Sequence, residues 1–407
     1  MKRVLAMLLT LALLASFAAC GAPAATEPAP TTAAPTTAAP APAPTTAAPA
    51  PAPAPTTAAP APTTAAPAPT TAAPAVGGKI GVSMPTQSLQ RWNQDGSNMK
   101  QQLEAAGYTV DLQYAGDNDI PTQLAQLENM ISGGCTVLVI AAIDGFSLGP
   151  VLQTAKENGI AVIAYDRLIM NSDAVTYYAT FDNWKVGQFQ GAYIRDALGL
   201  DTNAGPFNIE LFTGDPADNN INFFFDGAMD ILTPYITSGK LVVKSGQTAK
   251  TQCATPGWST EEAQKRMENL ITSNGYGPDG TKLDAVLSSN DSCAIGISNA
   301  LVAAGYGKGN FPILSGQDCD KTSMINMLAG TQSMSIFKDT RDLANRVVQM
   351  VDSILKGTQV EINDTTTYDN NTGIIPSFLC EPLVCTLDNY KAMLIDSGYY
   401  VEADLQG

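Results

Sequence analysis

The sequence contains no histidine, and only 7% of its 407 residues are aromatic. Histidine is the usual general acid or base near neutral pH and the usual partner of a nucleophilic serine or cysteine. Its absence therefore disfavours these forms of catalysis, and it also removes a common ligand of zinc. Phosphate-binding loops of the GxxxxGK[ST] type, GxGxxG loops placed after a strand, and calcium loops of the DxDxDG type are missing as well. No catalytic residue, metal site or cofactor is predicted.

Positive charge is scarce in this chain. Lys and Arg together number 22, against 38 Asp and Glu, so the net charge is −16. Proteins that bind nucleic acid present clustered positive charge to the phosphate backbone. The charge balance therefore excludes nucleic acid as an expected partner.

Cysteines are few, and none stands in a CxxC pair. This spacing, together with the lack of histidine, argues against a structural zinc site. Six cysteines follow Cys20 in the sequence, namely Cys135, Cys253, Cys293, Cys319, Cys380 and Cys385. The sequence leaves open whether they form disulfides or remain small buried thiols.

Long hydrophobic runs are also absent, except near the start of the chain. There, two basic residues precede an apolar segment over residues 4–14, which is shorter than the roughly 20 residues that span a bilayer. Small residues then lead to Cys20 and a following glycine. This pattern predicts a lipoprotein signal peptide over residues 1–20, with lipid attached at Cys20. The alternative is an ordinary secretory signal that is cut near Ala19.

The next segment, residues 21–78, consists almost wholly of alanine, proline and threonine. Such a composition cannot bury a core, and proline keeps the backbone extended. We therefore predict a disordered linker between a membrane anchor and the rest of the chain. Its length suits a thick wall outside a single membrane better than a narrow periplasm.

From residue 79 onwards, hydrophobic segments alternate between the period of strands and the period of helices. Continuous apolar runs, such as residues 136–143 and 161–165, are typical of parallel strands buried on both faces. The pattern predicts an α/β fold of doubly wound, Rossmann-like parallel sheets. The number of strands favours two lobes, and a last helix is predicted over residues 387–395.

Polar and aromatic residues follow successive predicted strands. The groups are Arg91 with Trp92, Asp166 with Arg167, Asp218 with Asn219 and Asn220, Asn290 with Asp291, and Gln317 with Asp318. The Asp and Asn groups are each equally typical of a helix N-cap, and Trp92 and Trp258 taken alone are also typical of core residues. Because ligands of open α/β sheets bind beyond the carboxyl ends of the strands, five such groups together predict one shared site.

The chemistry of these groups favours a sugar as the ligand. The apolar face of a pyranose packs on an indole, which Trp92 and Trp258 can supply, and its hydroxyls both donate and accept hydrogen bonds. Carboxylates and guanidinium groups can each bind two neighbouring hydroxyls. A glycosidase would need a pair of catalytic carboxylates. Asp215 with Asp218 and Asp318 with Asp320 are two such pairs, but each also has the pattern of a loop cap.

Twelve stretches from residue 79 almost to the C-terminus carry a family resemblance. They include RWNQDGSNM, IAVIAYDRLI, DNNINFFFDGAM, SNDSCAIGI, LSGQD and SIFKDTR. In these stretches the chain resembles the type I periplasmic sugar-binding proteins of ABC transporters, specifically the xylose-binding and multiple sugar-binding branch. The unusual linker and the cysteines depart from the family pattern.

The resemblance implies two lobes joined by three crossover strands, near residues 181–183, 315–317 and 375–379. It assigns residues 79–182 plus 318–375 to an N-terminal lobe, and residues 183–317 plus 376–407 to a C-terminal lobe. It also implies ten sugar-binding residues, which are Arg91, Trp92, Asp166, Arg167, Asp218, Asn220, Trp258, Asn290, Asp318 and Lys338. The strand-end pattern supports these except Lys338 and Trp258.

The resemblance further implies what the protein binds and where it acts. We expect a monomer, outside the cytoplasm and held to the membrane only through Cys20, whose lobes close on one monosaccharide of the glucose, galactose, xylose or arabinose class. The partner is then a separate ABC permease. A sensory role beside a chemoreceptor or sensor kinase is compatible with the same sequence. An extracellular carbohydrate enzyme is the remaining alternative, and it lacks a persuasive catalytic pair.

Overall fold

The structure is a computed structural model that describes residues 77–406. The signal peptide, Cys20 and nearly all of the linker predicted over residues 21–78 lie outside the described residues. Within the described part, none of the helices combines the length and the apolar composition needed to cross a membrane.

Strands and helices alternate along the described chain. The first elements are β1 (Lys79–Met84), α1 (Gln90–Ala105), β2 (Thr109–Tyr114), α2 (Ile120–Ser132), β3 (Val137–Ile140), α3 (Gly149–Glu157), β4 (Ala161–Tyr165) and β5 (Val175–Phe181). The next are α4 (Asn183–Leu198), β6 (Phe207–Phe212), α5 (Asn220–Thr237), β7 (Leu241–Val243), α6 (Lys250–Cys253), α7 (Thr260–Asn274), β8 (Ala285–Ser288), α8 (Asp291–Ala303) and β9 (Ile313–Leu314). The last are α9 (Lys321–Ala329), β10 (Ser335–Phe337), α10 (Thr340–Lys356), β11 (Ser377–Cys380) and β12 (Leu383–Cys385).

Two parallel sheets organise these elements. The first has six strands in the order β11-β5-β4-β3-β1-β2, and the second has four in the order β7-β6-β8-β9. Helices cover both faces of each sheet, with α1 against α10 and α2 against α3 in the first, and α4 against α5 and α7 against α8 in the second. Strand β3 is fully buried along its length, as its apolar sequence predicts. The predicted α/β fold of doubly wound parallel sheets is confirmed.

The places where the chain changes sheets differ in part from the prediction. Helix α9 contacts α8, and β10, which forms a separate two-stranded antiparallel sheet with β12, is bridged from Ile336 to Gln317, so residues 321–337 stay with the second lobe. The family resemblance had implied that residues 318–375 belong to the first lobe. Strand β11, which the sequence put in the second lobe, pairs parallel with β5 of the first sheet. The second and third changes of sheet therefore fall after β10 and after β11.

One local feature departs from the prediction, and the structure also bears on a choice that the sequence left open. The last helix, predicted over residues 387–395, is a single irregular turn at Lys391–Ile395. The six cysteines of the described chain are all free thiols, of which Cys380 is half-buried and the other five are buried. The sequence left open whether these cysteines form disulfides or remain buried thiols, and in the structure they are thiols.

The helix pair α4 and α5 packs unusually closely because glycine stands at the crossing. A Cβ atom on Gly187 would lie 2.1 Å from the backbone oxygen of Phe224. Any larger residue would force the two helices apart. The close approach fixes the first turns of α5, which carry Phe224 into the space between the sheets.

Candidate functional site between the two lobes

A cavity lies between the two sheets at the carboxyl ends of their strands. It offers about 390 Å³ of space between protein atoms, counting its open mouth. Its walls are formed by Leu89, Arg91, Trp92, Asp166, Arg167, Asp218, Phe224, Trp258, Asn290, Ser292, Gln317, Asp318 and Lys338. All the predicted site residues except Asn220 are among them.

Asn220 lies directly behind this wall. Its amide nitrogen donates to the backbone oxygen of Asp166 at 2.8 Å, and its amide oxygen accepts from the hydroxyl of Tyr178 at 3.1 Å. The structure thus gives Asn220 a role in holding Asp166. Its direct contact with a ligand stays a prediction.

The strand ends deliver the side chains as the fold requires. Arg91 and Trp92 stand in the first turn of α1, just after β1, and Asp166 and Arg167 follow β4 directly. Asn290 is the N-cap of α8, where its amide oxygen accepts from the backbone nitrogen of Cys293 at 3.0 Å. The cap and site interpretations of Asn290 are therefore compatible, because one end of the amide caps the helix and the other lines the cavity.

Four charged side chains form a buried ion cluster at one end of the cavity. The Nη1 and Nη2 atoms of Arg91 lie 2.6 Å from Asp318 and 3.1 Å from Asp166. The Nζ atom of Lys338 lies 3.4 Å from Asp166 and 3.3 Å from Asp318. Burial alone would raise the pKa of Asp166, but the positive charges of Lys338 and Arg91, with that of Arg167, lower it below its usual value. This carboxylate therefore stays ionised and acts as an acceptor.

A second ion pair joins the two lobes. The Nε atom of Arg167 lies 3.1 Å from Oδ2 of Asp218, and the guanidinium carbon lies 4.9 Å from the ring centre of Trp92. The indole nitrogen of Trp258 donates to the same Asp218 carboxylate at 3.2 Å. Burial raises the pKa of Asp218, and the charge of Arg167 opposes that rise. Arginine, indole and carboxylate thus form one layer across the cavity.

The two indoles supply the apolar surface of the cavity. Trp92 and Trp258 are each only 4% exposed, and the ring of Phe224 meets that of Trp258 edge-on with 6.2 Å between their centres. Trp258 follows no strand and lies on a short 3-10 turn, Pro256–Trp258. A Cβ atom on Gly214 would come within 2.1 Å of this indole, so only glycine leaves room for it. The ring is held from both sides before any ligand arrives.

Backbone strain concentrates at the same place. Asp166, Trp258 and Asp318 have positive φ angles of 57°, 56° and 98°, which non-glycine residues rarely adopt. The backbone oxygen of Asp166 accepts from the hydroxyls of Tyr178 at 2.6 Å and Thr180 at 3.0 Å, in addition to Asn220. These donors stabilise the unusual conformation, and such strain is typical of functional sites.

The sequence interpretation missed Asp95, which lies one helical turn after Arg91. Its Oδ2 atom accepts from Nε of Arg91 at 2.5 Å, and its Oδ1 atom accepts from the hydroxyl of Tyr165 at 2.5 Å. Burial raises the pKa of Asp95 to about 6, although the charge of Arg91 opposes the shift. Asp95 therefore orients Arg91 from behind. The i, i+4 spacing with an arginine was the available signal.

Comparison with known proteins agrees with this architecture. Residues 80–359 match the model of a periplasmic binding protein domain. The multiple sugar-binding periplasmic receptor of Rhizobium radiobacter is 53% identical over 325 residues, which are 79% of this chain and 91% of the receptor. The D-xylose-binding periplasmic protein of Escherichia coli is 36% identical over 327 residues, which are 80% of this chain and 92% of that protein.

Solved structures of solute-binding proteins also resemble this chain. An ABC transporter solute-binding protein from Clostridium phytofermentans with bound β-D-glucose is 63% identical, with a TM-score of 0.78, over 81% of this chain and all of that one. A carbohydrate transporter solute-binding protein from Chloroflexus aurantiacus in complex with D-glucose is 31% identical, with a TM-score of 0.71, over 80% of this chain and 97% of that one. The chain therefore belongs to the type I periplasmic binding protein family, in the branch that contains the multiple sugar-binding and xylose-binding receptors.

Proposed function

We propose that this protein captures one monosaccharide between its two lobes and delivers it to the permease of an ABC transporter. The observation that carries the proposal is the cavity itself. Three carboxylates, Asp166, Asp218 and Asp318, face three cationic side chains between two buried indoles. A small polyhydroxylated ligand satisfies such a mixture of donors, acceptors and flat apolar surface.

Each side chain has a role that follows from its chemistry. Arg91, Arg167 and Lys338 donate to hydroxyl oxygens, whereas the three carboxylates accept from hydroxyl hydrogens. The amide nitrogen of Asn290 donates, because its oxygen already caps α8. Trp92 and Trp258 pack against the ring of the sugar, where C–H groups meet an aromatic face.

The relatives favour a pyranose of the glucose class. Two related solute-binding proteins of known structure hold glucose, and the two sequence relatives described above are named for multiple sugars and for D-xylose. We therefore expect D-glucose to bind, with D-galactose, D-xylose and L-arabinose as further candidates. Because a buried site discriminates through its hydrogen bonds, sugars that lack a matched hydroxyl will bind more weakly.

Closure of the two lobes is the expected response to the sugar. The pair Arg167–Asp218 and a hydrogen bond from the backbone nitrogen of Gly145 to the oxygen of Ala217, at 3.3 Å, already link the lobes. A ligand that contacts both walls favours the closed state by its differential affinity for that state. In this proposal the permease recognises the closed form.

The sugar leaves the protein chemically unchanged in this proposal. Of the candidate catalytic carboxylates, Asp215 accepts hydrogen bonds from the backbone nitrogens of Ala217 at 2.7 Å and of Gly257, and so caps its own loop. Asp320 is not part of the cavity wall. Recovery of unaltered D-glucose after prolonged incubation, measured by NMR, tests this point, and appearance of a product would contradict it.

We further propose that residues 1–20 are a signal peptide, that Cys20 carries a lipid and that residues 21–78 are a spacer outside the cytoplasm. The basis is the sequence pattern alone. Mass spectrometry of the mature N-terminal peptide tests the proposal. A diacylated Cys20 supports it, and an unmodified N-terminus at or after Cys20 overturns it.

Thermal unfolding in the presence of a sugar panel tests the central proposal. We expect D-glucose to raise the Tm of the protein, because a ligand that binds only the folded state stabilises it. In Asp318→Ala the shift should be lost, since Arg91 and Lys338 lose the carboxylate between them. An equal shift in Asp318→Ala would contradict the assigned site.

A further inference from the structure

Gln317 is a buried amide in the cavity wall whose side chain has no hydrogen-bond partner among residues 77–406. It is only 2% exposed, it lines the cavity, and its Oε1 atom is fully enclosed. The Oε1 atom accepts no hydrogen bond from the described residues, and Nε2 donates none to them. An enclosed amide oxygen without a partner costs free energy, so it calls for an explanation.

Other buried amides in the described chain do not share this condition. Gln126, Asn183, Gln190 and Gln332 also have an unpaired oxygen, but each of them donates through its nitrogen to a backbone or side-chain acceptor. None of these four lines the cavity. Gln317 thus combines an entirely unused amide with a position in the ligand site.

The backbone of Gln317 is fixed on both sides. Its oxygen accepts from the backbone nitrogen of Asp291 at 2.9 Å, and the residue forms a parallel bridge with Ile336. The next residue, Asp318, has its own backbone nitrogen bonded to the oxygen of Ile336 at 2.8 Å. The amide is therefore held at the wall by paired backbone rather than by a flexible loop.

From this placement we infer that Gln317 is a specificity-determining contact, whose amide binds hydroxyls of the ligand through both of its ends. This inference rests on the proposed sugar-binding function. The carboxylates of the cavity only accept and its cations only donate, whereas an amide accepts through Oε1 and donates through Nε2. Two adjacent hydroxyls of a pyranose present the complementary pair, one as donor and one as acceptor.

The consequence is selectivity for an intact pair of neighbouring hydroxyls. A site that hydrogen-bonds a hydroxyl rejects the analogue that lacks it, because its own buried polar group is then left unpaired. Sugars deoxygenated at the position that Gln317 contacts will be rejected through this residue. Sugars deoxygenated elsewhere will be rejected through other side chains, independently of Gln317.

Calorimetric titration with D-glucose and a set of monodeoxy-D-glucoses tests the inference. The variant is Gln317→Met, which keeps the length and apolar stem but removes the amide. The matched control is Gln126→Met, whose amide oxygen is also unpaired but which lies on α2 away from the cavity. We expect a loss of D-glucose affinity of at least tenfold in Gln317→Met and none in Gln126→Met.

A double-mutant cycle then identifies the contact. The original protein should bind one or two of the deoxy sugars more weakly than it binds D-glucose, whereas Gln317→Met should bind those deoxy sugars and D-glucose about equally. The substitution and the missing hydroxyl are then coupled by about tenfold or more. The Tm of ligand-free Gln317→Met should be equal to or above that of the original protein, so that misfolding is not the cause of weak binding.

Two results overturn the inference in distinguishable ways. If the original protein binds D-glucose and Gln317→Met binds it equally well, or if the coupling is near onefold for every deoxy sugar, Gln317 is not a contact and the proposed function stands. If the original protein binds none of these sugars, the proposed function fails and this inference fails with it.

Discussion

Arg167 and Asp218 pair across the cleft, with 3.1 Å between Nε and Oδ2, and so connect the loop after β4 to the loop before α5. The side chains of both residues are buried. Two further groups converge on it, the ring of Trp92 below the guanidinium and the indole nitrogen of Trp258 on the carboxylate. A single ion pair therefore links the two lobes to both indoles, which in our proposal close on the sugar and contact it.

Asp218→Asn tests this coupling. The substitution keeps the shape of the side chain but removes its charge, so that a charge-assisted contact with Arg167 and with a ligand hydroxyl is weakened. We expect the affinity for D-glucose to fall by roughly 10–100-fold, as measured by calorimetry. Asp173→Asn is the matched control, because Asp173 pairs with Lys156 at the exposed surface. Equal affinity in both variants would contradict the role of the pair.

Gly214→Ala tests the placement of the Trp258 indole. The new Cβ atom would lie within 2.1 Å of the ring, so the indole must leave its position. We expect an affinity loss of at least tenfold and a destabilisation of about 1–3 kcal/mol from overpacking, measured by titration and by chemical unfolding. Gly149→Ala, where nothing lies within 4 Å of the new atom, should change neither quantity. Unaltered binding in Gly214→Ala would show that the indole is not held as described.

Asp95→Asn tests the positioning of Arg91 through its pH dependence. With a pKa of about 6, Asp95 is mostly neutral at pH 5 and mostly ionised at pH 7, where it holds the guanidinium of Arg91. The affinity of the original protein for D-glucose should therefore rise a few-fold from pH 5 to pH 7. In Asp95→Asn this rise should shrink or vanish. The same rise in both proteins would mean that another group titrates.

Asp291 predicts a distinct effect on stability. Its carboxylate is fully buried and accepts from Ser335 and Gln332, and burial, with a smaller effect of the Asp318 charge, raises its pKa to about 8. The folded state thus binds this proton more tightly than the unfolded state does. The stabilisation is complete below about pH 4 and is lost as the pH rises towards 8.

Asp291→Asn should remove that loss. We expect the Tm of Asp291→Asn to fall less between pH 5 and pH 8 than that of the original protein does, by roughly 2–4 °C, measured by calorimetry in matched buffers. The exposed variant Asp173→Asn serves as the control for a general change of net charge. A parallel pH profile in Asp291→Asn and the original protein would contradict the buried, proton-binding role.

Much of the site followed from sequence because parallel strands bring their carboxyl ends to one edge. Asp166 directly follows β4 and Asp318 lies four residues after β9, and the two came together as predicted. Trp258 could not be reached in that way, because it lies on a turn between two helices and its place depends on a gap at Gly214. It entered through the family resemblance instead.

The other features that the sequence did not predict are the burial of Asp95 and the sheet boundaries, and both depend on tertiary packing. Asp95 has the sequence pattern of a surface carboxylate on a helix, and only the packing of α1 against the first sheet reveals that it is buried against Tyr165. The sheet boundaries depended on short strands of three or four residues, β10, β11 and β12. Their pairing partners are set by tertiary contacts rather than by local periodicity.

Isothermal titration of the protein with D-glucose tests the central claim most directly. We expect one sugar to bind per chain with micromolar or tighter affinity, and the affinity to be at least tenfold weaker in Asp318→Ala. Absence of binding to D-glucose, D-galactose, D-xylose and L-arabinose alike would contradict it.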